Sequence, residues 1–178
     1  MNLLINIIAF KIGWISAVLG GASGMALIGT AIVFTAIGVH LFLVKEPSRE
    51  LALILIVGVV GLCSDSILVA AGWLTYANGT IVAGFAPYWI VAMWMLFATT
   101  LNVIFRWLQR RLRLAAVIGA ISGPASYYAG SKLGAVEFTE FVPAIVGLGV
   151  TWMFLFPAFL MLAKSLDGTQ APILQSRV

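Results

Sequence analysis

The stretch LALILIVGVVGLCSDSILVAAGWLTY, residues 51–76, decides the structural class of this protein. Its only charged residue is Asp65. A helix that spans a membrane needs about 20 consecutive, mainly apolar residues. The stretch is therefore predicted to cross a membrane, with an acidic side chain inside the apolar phase.

The rest of the chain has the same character. Its 178 residues are 62% hydrophobic and 9% charged, whereas soluble domains are about half apolar and a quarter charged. This composition excludes a soluble globular protein, a disordered chain and a disulfide-stabilised scaffold. Six stretches are apolar enough and long enough to span: 2–20, 25–44, 51–76, 87–105, 113–133 and 141–163.

The predicted fold class is thus an all-α, polytopic membrane protein with six transmembrane helices and short loops. We expect one transmembrane domain over residues 1–163 and a short cytoplasmic tail over residues 164–178, because Asp167-Gly168 and Pro172 break the last helix.

Basic residues predict the orientation, because loops rich in Lys and Arg stay in the cytoplasm. If six helices cross, eight basic residues lie on the same side as the N-terminus: Lys45, Arg49, Arg106, Arg110, Arg111, Arg113, Lys164 and Arg177. The other side has only Lys132, beside Glu137 and Glu140. Both termini are predicted to lie in the cytoplasm, with the chain in a bacterial inner membrane.

Several function classes are excluded or disfavoured. One cysteine, Cys63, and one histidine, His40, cannot form an intrachain disulfide or a Cys- or His-rich metal site, and we expect no cofactor. The net charge of +4 comes mainly from residues between apolar runs, so no nucleic-acid partner is expected. The sequence has no hydrolase, metalloprotease or nucleotide-binding motif, so an enzyme is the least favoured class.

Glycines at helical spacing predict where helices pack closely, because small residues let backbones approach one another in lipid. We expect the first, third and fifth helices to form an inner bundle. The packing residues are Gly58, Gly61, Gly119, Gly123, Pro124 and Gly130. Pro124 should also kink the fifth helix.

Asp65 is the main candidate for a ligand or proton site, since a charged residue deep in a membrane is expensive to keep. It shares a stripe with glycines of the third helix and should face protein, flanked by Ser64 and Ser66. Tyr127 follows the Pro124 kink and is a candidate to reach it. The alternative is a carboxyl that only bonds a neighbouring helix.

Lys11 is predicted to lie on the lipid-facing side of the first helix, with its amine reaching toward the cytoplasmic surface. A contact with a lipid head group or partner protein is the second possibility, and an ion pair with Asp65 is the third. His40 is expected to anchor the second helix at the interface.

A group of basic residues follows the fourth helix. It consists of Arg106, Arg110, Arg111 and Arg113, with Trp107 beside them. This group is expected to set topology and to contact anionic phospholipid, or alternatively to bind an acidic or acyl-phosphate head group.

Several short patterns are shared with a known family: Gly13-Trp14, Asp65-Ser66, Pro87-Tyr88-Trp89, Thr100-Leu101-Asn102 with Arg106-Trp107, and Gly123-Pro124 with Tyr127. In these the chain resembles an uncharacterised family of bacterial inner-membrane proteins, a domain of unknown function. The resemblance implies genes often found beside cyclopropane-fatty-acid-synthase-like proteins, and hence a role near fatty-acid modification. It supplies no catalytic residues and does not include Lys11.

Two hypotheses for function follow. The first is an accessory or scaffold protein that holds lipid-modifying enzymes or another membrane complex through Lys11 and the arginine-rich turn. The alternative is a small proton-coupled transporter or lipid-handling protein that uses Asp65. The expected partners are membrane lipids, other membrane proteins or a second copy of the chain.

Overall fold

The computed structural model describes residues 2–170, which form six α-helices, one short 3-10 helix and two short strands. In chain order these are α1 (Leu3–Ser23), α2 (Ala26–Leu43), α3 (Pro47–Ala70), β1 (Leu74–Tyr76), α4 (Tyr88–Leu101), the 3-10 helix (Arg106–Arg110), α5 (Leu112–Lys132), β2 (Val136–Phe138) and α6 (Phe141–Ser165). The predicted helical class is confirmed, apart from the two strands. The part of the predicted tail after residue 170, including Arg177, lies outside the described residues.

Four helices, α1, α2, α3 and α6, are long and apolar enough to cross a membrane. Helix α4 has 14 residues, which gives a length of ~21 Å at 1.5 Å per residue. That is shorter than the ~30 Å hydrocarbon core of a bilayer. Helix α5 has 21 residues but is less apolar, because serines, glycines and tyrosines occupy much of it. Length and composition therefore support four of the six predicted spans.

The third helix differs from its predicted bounds of 51–76. It begins at Pro47, a residue suited to the first helical turn because its missing N–H would be unbonded there anyway. It ends at Ala70, and Gly72 then takes a left-handed conformation with φ of 72°. Asp65 consequently lies about one and a half turns from the end of α3, rather than at its middle.

The chain after Gly72 forms a strand instead of more helix. β1 pairs with β2 in antiparallel register, with Leu74 opposite Phe138 and Tyr76 opposite Val136. Nearby, Asn78 Nδ2 donates to the carbonyl of Gly21 in the last turn of α1, at 2.9 Å. We call this end of the bundle the ribbon end.

The opposite end collects the basic turns. The backbone N–H of Lys45 donates to Gly168 O at 3.0 Å, and Gly168 N donates to Glu50 Oε1 at 2.9 Å. Arg106, in the 3-10 helix, pairs with Asp167. The turn after α2, the 3-10 helix and the chain after α6 therefore meet at one place, which we call the arginine end.

Helix α4 lies at the centre of the molecule. It packs against α1, α2, α3 and α6, while α1 pairs with α2 and α5 pairs with α6. The expected inner bundle of the first, third and fifth helices is not what the structure shows. The glycines of α3 and α5 make room for indole rings instead of for one another, since Gly61 lies against Trp94 and Gly123 against Trp152.

Candidate functional site

Asp65 is fully buried and accepts hydrogen bonds from three side chains. Tyr76 Oη donates to Oδ1 at 2.5 Å, and Trp94 Nε1 donates to Oδ2 at 2.6 Å. Tyr127 Oη lies 2.7 Å from Oδ1 and 2.9 Å from Oδ2. These four residues, here called the Asp65 cluster, join α3, β1, α4 and α5 in one polar group near the ribbon end.

Trp94 reaches the carboxylate because Gly61, one helical turn before Asp65, has no side chain. A Cβ atom at Gly61 would overlap the Trp94 ring. The Trp94 indole is fixed from its other side by Trp152, which stacks on it with ring centroids 4.7 Å apart and planes at 13°. Gly123 in turn gives space to Trp152. Two glycines and two indoles thus set the position of one hydrogen bond to Asp65.

All three donors to Asp65 are neutral groups. Burial, together with the neighbouring Asp65 carboxyl, raises the pKa of Tyr76 well above its ordinary value, so its hydroxyl keeps its proton. Within residues 2–170 no basic side chain forms an ion pair with Asp65. The ion pair with Lys11 is therefore not formed. Among the described residues, Asp65 is held by hydrogen bonds alone.

The serines beside Asp65 do not join the cluster. Ser66 Oγ accepts a hydrogen bond from the backbone N–H of Ala86 at 3.0 Å. Ser64 makes no side-chain hydrogen bond within the described chain. Successive residues on a helix point about 100° apart, so neighbours in sequence do not share a face.

An apolar groove lies between α1 and α5, with α4 as its floor and a volume of about 200 Å³. Phe10 and Trp14 line it from α1, and Ser122, Ser126 and Tyr127 line it from α5. A smaller space continues it toward the ribbon end, between Trp14, Tyr127 and Tyr76. Tyr127 therefore lines the groove itself and Tyr76 lines the space that continues it, and both donate to Asp65.

A second buried acid lies near the arginine end and was not singled out from the sequence. Glu50 is fully buried and accepts from Asn102 Nδ2 at 2.8 Å, and its Oε2 lies 3.0 Å from His40 Nε2. His40, expected at the interface, is only 2% exposed. In the sequence Glu50 closely follows other charged residues, Lys45, Glu46 and Arg49, but it lies in the first turn of α3.

The basic residues fall into two groups. Arg106 forms a bidentate ion pair with Asp167, with N–O distances of 2.8 and 3.0 Å. Partial burial of Asp167 acts to raise its pKa, but the hydrogen bonds from Arg106 and Thr169 outweigh it and hold the pKa below its usual value.

The other cations face outward. Arg110, Arg111 and Arg113 are exposed at the arginine end, beside Trp107, which is 54% exposed. Lys11 is exposed near the middle of α1.

The remaining packing residues lie against large neighbours. Gly58 is next to Met95, and Gly119 is next to the backbone of Trp152 and to Phe156. Gly130 lies 3.5 Å, measured from a virtual Cβ, from Val136 of β2. Pro124 is buried within α5. Among residues 2–170 no group of three His, Cys, Asp or Glu side chains is placed to hold a metal ion.

Tyr76 and Trp94 are the cluster members that sequence reasoning missed. Tyr76 was assigned to the end of a spanning helix, and Trp94 was not singled out as a site residue. A buried tryptophan usually finds an acceptor for its N–H, so the depth of Trp94 was the available signal.

Comparison with known proteins gives one match. The profile of the family described as "Protein of unknown function (DUF2878)" matches residues 3–158, a span that includes the Asp65 cluster and the groove. No curated protein and no solved structure matches the chain.

Proposed function

We propose that this chain, which belongs to the DUF2878 family of proteins of unknown function, is a membrane protein that holds the apolar chain of a lipid in the groove between α1 and α5. In this proposal the polar end of the lipid lies at the Asp65 cluster. The observation that carries the proposal is the position of the groove, which continues from apolar side chains into a smaller space lined by two tyrosines that donate to a buried acid.

The depth of the groove supports a lipid as its occupant, and its size suits part of an acyl chain. Phe10 and Trp14 lie near the middle of α1, and Ser122 near the middle of α5. The groove therefore opens at the level of the acyl chains if these helices span. Its volume of about 200 Å³ exceeds the ~150 Å³ of an apolar cavity that accommodates benzene.

The proposal includes the six-span topology in a bacterial inner membrane, with both termini in the cytoplasm. Helix α4 alone is short, but the chain from Tyr88 to Arg110 runs from the ribbon end to the arginine end. The exposed Arg110, Arg111 and Arg113 lie at the arginine end, which the positive-inside rule assigns to the cytoplasm. Residues 164–178 would then form the cytoplasmic tail after a single transmembrane domain.

A pair of variants on α5 tests the groove. Ser122 lines the groove and is exposed, and Ala125 is exposed on the same helix but does not line it. Ser122→Phe should fill the groove, while Ala125→Phe should add the same side chain elsewhere. In native mass spectrometry of protein purified in mild detergent, we expect the wild type and Ala125→Phe to retain one lipid and Ser122→Phe to lose it. Equal retention by all three would contradict the proposal.

An accessory role in a membrane complex is the second proposal, and outward-facing cations favour it. Lys11 is an exposed cation on an otherwise apolar helix, and exposed Arg110 and Arg111 carry no partner within the described residues. A protein that holds a lipid beside lipid-modifying enzymes would combine both proposals. Stoichiometric partner proteins that co-purify with the wild type but not with Lys11→Gln would support it, and purification of the chain alone would count against it.

A further inference from the structure

The apolar part of the groove cannot by itself select one lipid from the bilayer. A lipid tail that moves from the bilayer into the groove exchanges one apolar environment for another, so it gains little hydrophobic free energy. Selectivity must then come from polar atoms of the lining, and those nearest the Asp65 cluster belong to Ser126, Tyr127 and Tyr76.

The hydroxyl groups at that end already donate their hydrogens within the protein. The Tyr76 and Tyr127 hydroxyls donate to Asp65, and Ser126 Oγ donates to the carbonyl of Gly123 at 3.0 Å. A hydroxyl has one hydrogen and two acceptor lone pairs. What these three groups retain for a ligand is therefore acceptor capacity, and the two phenols are polarised by the carboxylate behind them.

The charged side chains at this end of the groove are acidic, while nearby Lys132 lies over the Tyr128 ring with its amine 5.0 Å from the ring centroid. Asp65 lies behind both tyrosines without a basic partner in residues 2–170. The space that continues past Tyr76 at the ribbon end, with a volume of about 410 Å³, is lined by one charged side chain, Glu137. A negative head group would therefore meet acceptors and like charge at this site, at an energetic cost.

We infer that the groove takes a lipid whose polar end donates hydrogen bonds, namely an alcohol or a protonated amine, and discriminates against carboxylate and phosphate ends. This inference rests on the proposed function, and it names the class of ligand that the groove accepts. An alcohol would donate to Tyr127 Oη or Ser126 Oγ. An ammonium group would do the same and would also be attracted by the charge of Asp65.

Quenching of tryptophan fluorescence by brominated lipids tests this inference, because Trp14, Trp94 and Trp152 line the groove. The full chain in phosphatidylcholine nanodiscs is titrated with dibromostearyl alcohol, dibromostearylamine and dibromostearyl phosphate. These probes share one chain and differ in the head group. We expect the alcohol and the amine to bind at least about fivefold more tightly than the phosphate, the effect of one net hydrogen bond.

Two conservative variants identify the atoms responsible. Tyr127→Phe keeps the ring but removes the acceptor, so the advantage of the alcohol should fall while the amine keeps its attraction to Asp65. Tyr128→Phe is the matched control, since Tyr128 is 44% exposed and does not contact Asp65. Should Tyr127→Phe fail to fold, Ser126→Ala removes a second acceptor of the same end and should also lower the alcohol's advantage.

The possible results distinguish the head-group preference from the proposed lipid site in the groove. Equal affinity for the three probes in the wild type, with quenching lowered by Ser122→Phe, would overturn the head-group preference and leave the groove as a lipid site. Tighter binding of the phosphate would overturn the preference as well. Quenching that Ser122→Phe leaves unchanged for every probe would overturn the proposed function itself.

Discussion

Replacing Gly61 with alanine should damage the Asp65 cluster through a single methyl group. The new Cβ would overlap the Trp94 ring, and Trp94 has little room to retreat because Trp152 stacks on it at 4.7 Å. We therefore expect the indole to shift and its hydrogen bond to Asp65, now 2.6 Å long, to break.

The expected loss follows from three contributions. Overpacking a well-filled interior costs ~1–3 kcal/mol, and loss of a hydrogen bond to a charged acceptor costs ~1.5–3 kcal/mol. Replacing glycine in a helix returns ~0.5–1 kcal/mol. The free energy of unfolding should thus fall by about 2–5 kcal/mol, measured by SDS-induced unfolding in dodecyl maltoside micelles. The tryptophan emission of the folded variant should also change, because Trp94 moves.

Gly38→Ala is the matched control, since Gly38 lies within α2 and a Cβ there would meet nothing within 4 Å. We expect this variant to be unchanged or slightly more stable. If Gly61→Ala and Gly38→Ala unfold at the same SDS fraction, the close contact of Gly61 with Trp94 does not hold the cluster, and the reasoning fails.

Three further substitutions test other parts of the structure. Asp65→Asn offers a single acceptor oxygen to three donors, so it should lower the free energy of unfolding by ~1–3 kcal/mol, measured in the same SDS assay. Glu50→Ala should cost ~3–5 kcal/mol, because it leaves buried partners of a charge unpaired; stability equal to the wild type would show that the Glu50 contacts carry no net energy. Asp167→Asn tests pH dependence: the folded-state pKa of Asp167 lies below its unfolded value of ~3.9. Its pairing with Arg106 should therefore stabilise the fold fully at neutral pH and be lost as the pH falls through the folded-state pKa. The expected effect is small, up to ~1 kcal/mol for a partly exposed pair, and the difference in melting temperature between wild type and variant should vanish in acid.

Much of the architecture could be predicted from hydrophobicity alone. Apolar runs located five of the six helices to within a few residues. The third helix was misplaced at both ends, because its apolar run continues past Gly72. Hydropathy does not distinguish an apolar strand from the end of an apolar helix, and the pairing of β1 with β2 depends on residues 60 to 64 positions apart.

The candidate site was only partly accessible to sequence reasoning. Asp65 and Tyr127 could be proposed because intramembrane polar residues are rare, and the structure places them 2.7 Å apart. Tyr76 and Trp94 were not proposed, because a tyrosine at the end of a helix and a tryptophan in a core need no functional explanation. The central position of α4 was also missed, because the glycine stripes indicate close contact without indicating which neighbour fills the space.

The decisive experiment is a structure of the purified protein in lipid nanodiscs. We expect elongated density between α1 and α5 that contacts Phe10 and Trp14 and ends with its polar group beside Tyr127. A groove closed by direct contact of α1 with α5, or one left open with no chain inside it, would show that the groove is not a lipid site.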